Sequence, residues 1–251
     1  MTRSAHRAYV KEFCLDSKKQ FWSFVKSLKN DSSGIPALKN QGVLISDNIQ
    51  KAELLNDQFS SVFSNEDLSS LPQALPCMFP SIPDIVIVPD GIEKLLLNLQ
   101  ANKAPGPDGI TPRILKETAA EIAPILSIIF QRSLDTCQLP SDWKLANVSP
   151  IYKKGERTKP SNYRPVSLTS VCCKLLEHVV HSHMMKHFDS HHILTDQQHG
   201  FRRNHSCETQ LIQTMHDLTY AHNNHTQVDA ITMDFLKVFD VVAHQRLLIK
   251  L

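Results

Sequence analysis

The sequence predicts an α+β fold, and three patterns carry that prediction. Apolar residues recur at helical spacing over several stretches of the chain. Leu145 to Tyr152 and Pro165 to Thr169 read as two strands joined by a turn-rich loop, so an antiparallel hairpin is expected. Val228 to Phe235 alternates with the period of a strand. With 251 residues, 41% of them hydrophobic and 21% charged, the chain has room for one large domain or two small ones.

The elements follow in order. Residues 5 to 29 read as a helix with a stripe of Phe13, Phe21, Trp22, Phe24, Val25 and Leu28, which serves either core packing or a partner. Gly34 and Pro36 end it. Asp47 is placed to cap a second helix with Ile49, Ala52, Leu55, Phe59, Val62 and Phe63 inward. Pro72, Pro76, Pro80, Pro83 and Pro89 then punctuate a Ser-bearing stretch. The expected organisation is a mostly helical N-terminal extension at 1–63, a linker at 64–90 and a mixed region at 91–251.

In that region a short helix carries Ile92, Leu95, Leu96 and Leu99, and residues 102–109 form a turn-rich loop. Thr111 and Pro112 suit the cap and first position of the next helix, which Pro124 should break or kink. Leu126, Ile129, Phe130 and Leu134 continue its stripe. After the hairpin, Thr169 or Ser170 can cap a helix with Leu175, Leu176, Val179, Val180 and Phe188 inward. Ser206 can cap another carrying Leu211, Ile212, Met215 and Leu218, and Glu208 in its first turn suits the helix dipole.

Bulk properties exclude some functions. A net charge of +2 announces no nucleic-acid partner, so such a reading must rest on local clusters. The six cysteines form no Cys-x-x-Cys pair, which points to a reducing compartment rather than a disulfide framework. Arg3, Arg7 and Lys11 precede no apolar run, and no stretch approaches the ~18 apolar residues of a membrane span. A soluble intracellular protein, in nucleus or cytoplasm, is expected. Oligomeric state leaves no mark in the sequence.

Three places could carry chemistry. In the third strand Asp229, Ile231, Met233 and Phe235 share one face; Val228, Ala230, Thr232 and Asp234 share the other. Asp234 thus ends a strand beside small neighbours, where it serves either as a turn cap or as a ligand for a hard cation such as Mg²⁺. Asp240 reads as a structural residue of the turn into a helix near His244. The second place is basic: Lys153, Lys154, Arg157, Lys159 and Arg164 are opposed only by Glu156, in a loop suited to a triphosphate or a nucleic-acid backbone, or simply to solvent. The third is Gln198-His199-Gly200-Phe201-Arg202-Arg203, with a permissive glycine, a stacking ring and two cations. His183, His187 and His191 could share a helix face, but nothing beside them has zinc spacing, so surface histidines are expected.

Four blocks stand in a fixed order. They are Lys103-Ala104-Pro105-Gly106-Pro107-Asp108-Gly109, Asn162-Tyr163-Arg164-Pro165-Val166-Ser167-Leu168, Gln198-His199-Gly200-Phe201-Arg202 and Asp234-Phe235-Leu236-Lys237-Val238-Phe239-Asp240. Together they resemble the reverse transcriptases of jockey-like non-LTR retrotransposons, over most of the chain. Lys51 to Asn56 is similar to the segment that precedes the polymerase core in that family.

The resemblance implies the fingers and part of the palm of a right-hand polymerase at 91–251. It implies template-directed addition of dNTPs to a primer 3′ end, with an RNA template, a DNA primer and two Mg²⁺ ions. By position, Asp234 would be the catalytic, metal-binding aspartate, and the Phe235 backbone would add a metal or phosphate contact. Lys153, Lys154 and Arg164 would bind the dNTP, and Phe239 would screen its 2′ position. Gln198, Gly200, Phe201 and Arg202 would lie near template and primer.

Two departures qualify this. Val238 stands where the family commonly has alanine. The family's second metal motif, Tyr-x-Asp-Asp, does not occur, because no two aspartates are adjacent. The chain also ends in an apolar pattern, Arg246 to Leu251, with no stop signal. The expectation is a truncated polymerase, inactive alone; the alternative is a non-catalytic nucleic-acid-binding remnant of a decayed element. A scaffold built on the histidine-bearing helix is a third reading.

Overall fold

The computed structural model describes residues 34–73, 76, 79–235 and 237–250. The helix expected at 5–29 lies outside them. Two compact units form, one from 34–58 with 152–163 and the other from 59–151 with 164–250.

The first unit opens with a small hairpin of β1 (Leu38–Asn40) and β2 (Val43–Ile45), paired antiparallel. Sequence reasoning missed it. Gln41 and Gly42 take φ of 46° and 93°, the two positive values of the tight turn that suits a two-residue hairpin. Helix α1 (Asn48–Ser60) follows, and the Asp47 cap is present: its Oδ1 accepts from the Ile49 and Gln50 N–H groups at 3.1 and 3.0 Å. Of the expected inward face only Leu55 is buried. Phe59 and Val62 are half-buried, and Ile49, Ala52 and Phe63 are exposed.

The second unit holds the larger core. Helix α2 (Pro89–Leu97) buries Ile92 and Leu96, as its spacing predicts. Gln131 anchors the extended chain before it, accepting from the Ile87 N–H at 2.9 Å and donating to the Ile85 carbonyl at 3.2 Å. Helix α3 (Pro112–Glu117) begins at the expected cap, with Thr111 Oγ1 accepting from the Ile114 N–H at 3.3 Å. Helix α4 (Ala119–Thr136) contains Pro124. The expected break is displaced to Thr118, between α3 and α4. The helix itself runs on through Pro124 without a break, against the expectation, its apolar stripe held in the core by Ala123, Leu126 and Phe130.

Strands β3 (Ala146–Tyr152) and β4 (Tyr163–Thr169) form the expected hairpin. Helix α5 (Val171–Ser190) starts after Ser170 and brings Val171, Cys172, Leu175 and Leu176 against Ile92, Leu96, Leu115, Ala123, Leu126 and Phe130. Phe130 is fully buried and meets the Trp143 ring edge-on at 5.6 Å. His187 is buried too, against the surface position expected of it, with its ring 4.4 Å from that of His191. A helix-face histidine reads as polar in sequence, yet its ring packs as an apolar body.

Helix α6 (Cys207–Asn223) has a complete capping box: Ser206 Oγ accepts from the Thr209 N–H, and Thr209 Oγ1 accepts from the Ser206 N–H. Its apolar residues Leu211, Ile212, Met215 and Leu218 are all exposed. The strand expected at 228–235 does not form. Its residues take no regular secondary structure and are exposed, and no strand among the described residues pairs with them. Two short helices, α7 (Val238–Val241) and α8 (His244–Lys250), close the unit.

Candidate functional site

The loop between β3 and β4 is held by its own polar and aromatic groups. The Lys153 N–H donates to the Asn162 carbonyl at 2.9 Å, and Asn162 Nδ2 donates to the Glu156 carbonyl at 2.8 Å. Gly155 has φ of 91°, and a Cβ there would lie 2.8 Å from Asn162 Nδ2, so the position favours glycine twice over. Tyr163 is buried and its hydroxyl donates to the Arg157 carbonyl at 2.7 Å; burial raises its pKa. Tyr152 donates its hydroxyl to the Gly155 carbonyl, packs on Tyr163 and receives the Arg157 guanidinium 4.8 Å above its ring.

This architecture divides the basic residues. Arg157 is stacked, and Lys159 pairs with Glu156 at 3.3 Å. The Thr158 hydroxyl donates to the same carboxylate at 2.6 Å, and these contacts hold Glu156 below the ordinary carboxylate range. Lys153 and Lys154 remain exposed with no ion pair among the described residues. Arg164, on β4 in the second unit, is likewise exposed and unpaired among them. Asn162 and Tyr163 therefore have structural work that the sequence does not announce; two tyrosines flanking a glycine-bearing loop were the available signal.

In the second unit, the first block meets the end of β4. A Cβ on Gly106 would stand 2.6 Å from Ser170 N and from Thr169 C, so this loop lies directly on the β4–α5 junction. Gly109, at φ of 68°, closes the loop by donating its N–H to the Gly106 carbonyl at 3.2 Å. Asp108 Oδ1 accepts from the Ile110 N–H at 3.2 Å. Ser170 Oγ is fully buried without a hydrogen-bond partner among the described residues. Burial, reinforced by the Asp108 carboxylate, pushes the nearby Cys172 thiol up to about 11.

The third and fourth blocks also meet. The rings of Phe201 and Phe239 pack edge to face at 6.2 Å, although the residues are 87% and 80% exposed. Phe201 itself takes the left-handed φ of 59°, and Gly200 does not have a left-handed φ, so the unusual backbone expected at the glycine falls one residue later. His199 sets this turn on α6, with Nδ1 2.8 Å from Thr209 Oγ1 and Nε2 3.1 Å from Gln213 Oε1. Gln198 is exposed, with Nε2 3.5 Å from the Gly200 carbonyl. Arg202 is not free for a phosphate. Its guanidinium donates to the Thr195 carbonyl at 2.8 Å and lies 3.4 Å from Asp189 Oδ1.

Asp234 and Phe235 are exposed, and the Asp234 carboxylate has no hydrogen bond or ion pair among the described residues. Asp240 sits in α7, where its N–H donates to the Lys237 carbonyl at 2.9 Å. Helix α8, the last element, is held by Glu66, a residue that nothing in the sequence marks out. Glu66 accepts from the Gln245 and Arg246 N–H groups at 3.0 and 3.1 Å, capping α8 from far away in the chain. Arg246 reaches back to the Ser70 carbonyl at 3.1 Å, and Ser64 Oγ donates to the Val241 carbonyl at 3.2 Å. Glu66, Phe239, Asp240 and His244 line a cavity of 420 Å³ there. Among the described residues, no three His, Cys, Asp or Glu side chains are grouped to hold a metal. Asp234 with the Phe235 carbonyl offers oxygen donors of the kind Mg²⁺ takes, but fewer than its six positions require.

Comparison with known proteins points to the same family. Residues 151–251 match the family described as reverse transcriptase (RNA-dependent DNA polymerase). The chain is 26% identical, over 95% of its length, to a probable RNA-directed DNA polymerase from transposon BS of Drosophila melanogaster, 27% of which it covers. It is 24% identical over 92% of its length to a probable RNA-directed DNA polymerase from transposon X-element of the same species. It is 25% identical over 91% to the RNA-directed DNA polymerase from mobile element jockey of that species, and covers 26% of each of the latter two. The chain thus spans about a quarter of the length of these relatives. By motif order and over nine-tenths of its length, it is similar to the RNA-directed DNA polymerases of jockey-like non-LTR retrotransposons.

Proposed function

We propose that the chain is the fingers and the start of the palm of an RNA-directed DNA polymerase, preceded by a mostly helical extension at 1–63 and a linker at 64–90. One observation carries the reading. The β3–β4 loop spends Arg157, Lys159 and Glu156 on its own architecture and leaves Lys153 and Lys154 exposed and unpaired. Fixed cations without partners on a braced loop suit the charge that builds on a leaving pyrophosphate.

The substrates in this reading are an RNA template, a DNA primer and dNTPs. Lys153 and Lys154 neutralise the triphosphate, and Arg164 keeps its dNTP role from motif position alone. Phe239 screens the 2′ position of the sugar, with Phe201 packed against its ring. Gln198, Gly200 and Phe201 face template and primer, and Arg202 holds the turn that presents them. Asp234 and the Phe235 carbonyl would hold Mg²⁺, which lowers the pKa of the primer hydroxyl and shields the transferring phosphate when bound.

Calorimetric titration with dTTP and Mg²⁺ tests this. Lys153→Ala/Lys154→Ala should weaken binding by about tenfold or more, the scale of a lost charge-assisted bond. Unchanged affinity would overturn the reading. Asp234→Asn separates it from a non-catalytic nucleic-acid-binding chain, which the lack of a grouped acidic site among the described residues favours. A metal role predicts that this variant loses the Mg²⁺-dependent part of dTTP binding. The second reading predicts intact RNA binding and no Mg²⁺-dependent part to lose.

A further inference from the structure

We propose that the β1–β2 hairpin and the 152–163 loop form one phosphate-binding surface, in which Lys39 supplies a further cation and its backbone N–H is the latch. The inference rests on the phosphate-binding reading above. Both segments lie in the same compact unit, although more than a hundred residues of chain separate them.

The register of the hairpin explains the latch. Asn40 lies opposite Val43 across the two-residue turn, and Lys39 lies opposite Leu44. Pairs next to such a turn exchange hydrogen bonds and the following pair does not, so the Lys39 N–H points away from β2. It donates to the Thr158 carbonyl at 2.7 Å, in the middle of the basic loop. Leu38, fully buried, pins the strand beside it.

The latch brings charge with it. The Lys39 ammonium is close enough to the loop to help hold the Glu156 carboxyl low, after the larger effects of Thr158 and Lys159. Glu156 is the loop's sole acid and is already bonded to those two residues. Lys39, Lys153 and Lys154 therefore carry exposed charge with no ion pair among the described residues. The ligand chemistry is phosphate, from either a triphosphate or the backbone of a nucleic acid.

Fluorescence anisotropy with a labelled 20-nucleotide poly(U) RNA, between 50 and 200 mM salt, reads the surface; inorganic tripolyphosphate as competitor separates the two sources. For a single strand, each neutralised phosphate adds about 0.7 to the salt slope, worth up to about eightfold in affinity at 50 mM salt. Lys39→Ala should lose that much and keep the latch. Lys39→Pro removes both the charge and the N–H without touching a β1–β2 bond, and should bind more weakly still. Competition by tripolyphosphate that weakens in Lys39→Ala identifies the triphosphate as a source; RNA binding alone affected identifies the nucleic-acid backbone.

Lys39→Ala with wild-type affinity and slope, while Lys153→Ala/Lys154→Ala loses both, would overturn this inference and leave the parent reading intact. If the double variant also binds as wild type, the parent reading falls with it. Lys39→Pro equal to Lys39→Ala, at unchanged melting temperature, would overturn the latch.

Discussion

Replacing Gly106 with alanine tests whether the first block packs directly against the end of β4 and the start of α5. The added Cβ would meet Ser170 N and Thr169 C at 2.6 Å and Thr169 O at 2.7 Å. Ordinary contact begins near 3.4 Å, so the backbone must give by most of an ångström. All three obstacles are main-chain atoms at the start of a core helix, and no side chain can swing aside. Overpacking costs about 1–3 kcal/mol, and this site belongs at the upper end. At about 2–4 °C per kcal/mol for a chain of this size, the melting temperature should fall by roughly 6–12 °C. Two other glycines calibrate the result. Gly109→Ala has open space but a φ of 68°, and should cost about 1–2 kcal/mol. Gly200→Ala has neither obstacle and should change stability by less than about 0.5 kcal/mol. Thermal unfolding followed by circular dichroism gives the ranking. If Gly106→Ala melts with Gly200→Ala, the loop does not lie on the β4–α5 junction.

Glu66→Ala removes the acceptor for two amides in the first turn of α8, and hydrogen exchange at Gln245 and Arg246 should accelerate about tenfold, the equivalent of about 1.4 kcal/mol; unaltered exchange there would refute the long-range cap. Cys172 and Cys173 are buried with thiols pushed up to about 11, whereas Cys137 and Cys207 are exposed, so iodoacetamide at pH 8 should label the latter pair first by mass spectrometry. Those raised values also set a pH dependence. The unfolded thiols ionise near the ordinary 9.0 and the folded ones near 11, so their contribution is full below pH 9 and is lost as pH rises towards 11. Urea titrations of wild type and Cys172→Ala should converge across that window; a gap that stays constant would refute the assignment.

What the sequence made legible was local. The caps at Asp47, Thr111 and Ser206 bond to amides within three residues, and all three are present. The β3–β4 hairpin was readable because both strands and their loop are contiguous. The β1–β2 hairpin was missed because three-residue strands give too little alternation to see, leaving only Gly42 as a signal. In the candidate site, sequence named Lys153 and Lys154 but not the Tyr152, Asn162 and Tyr163 contacts that leave them free. Glu66 was invisible because its partners lie almost 180 residues away.

The failures on the apolar faces share one physical cause. Periodicity states which residues would gain from burial, and says nothing of what covers them. On α4 the stripe met α2 and α5, and Phe130 is fully buried. On α6 the apolar stripe stays exposed among the described residues. Asp234 is the same case in β form. Alternation from Val228 to Phe235 marks a segment able to be a strand, but a strand exists only when a neighbour takes its N–H and carbonyl groups. The placement of Asp234 therefore depends on pairing more than on its own residues. In the proposed reading, a partner strand would fix the carboxylate on one face, the rigid placement that a metal ligand needs. The edge-to-face contact of Phe201 with Phe239 already ties the segment after Asp234 to the Gln198–Arg202 turn. In the proposed reading, pairing of the 228–235 segment is then the one step that decides which way the Asp234 carboxylate faces.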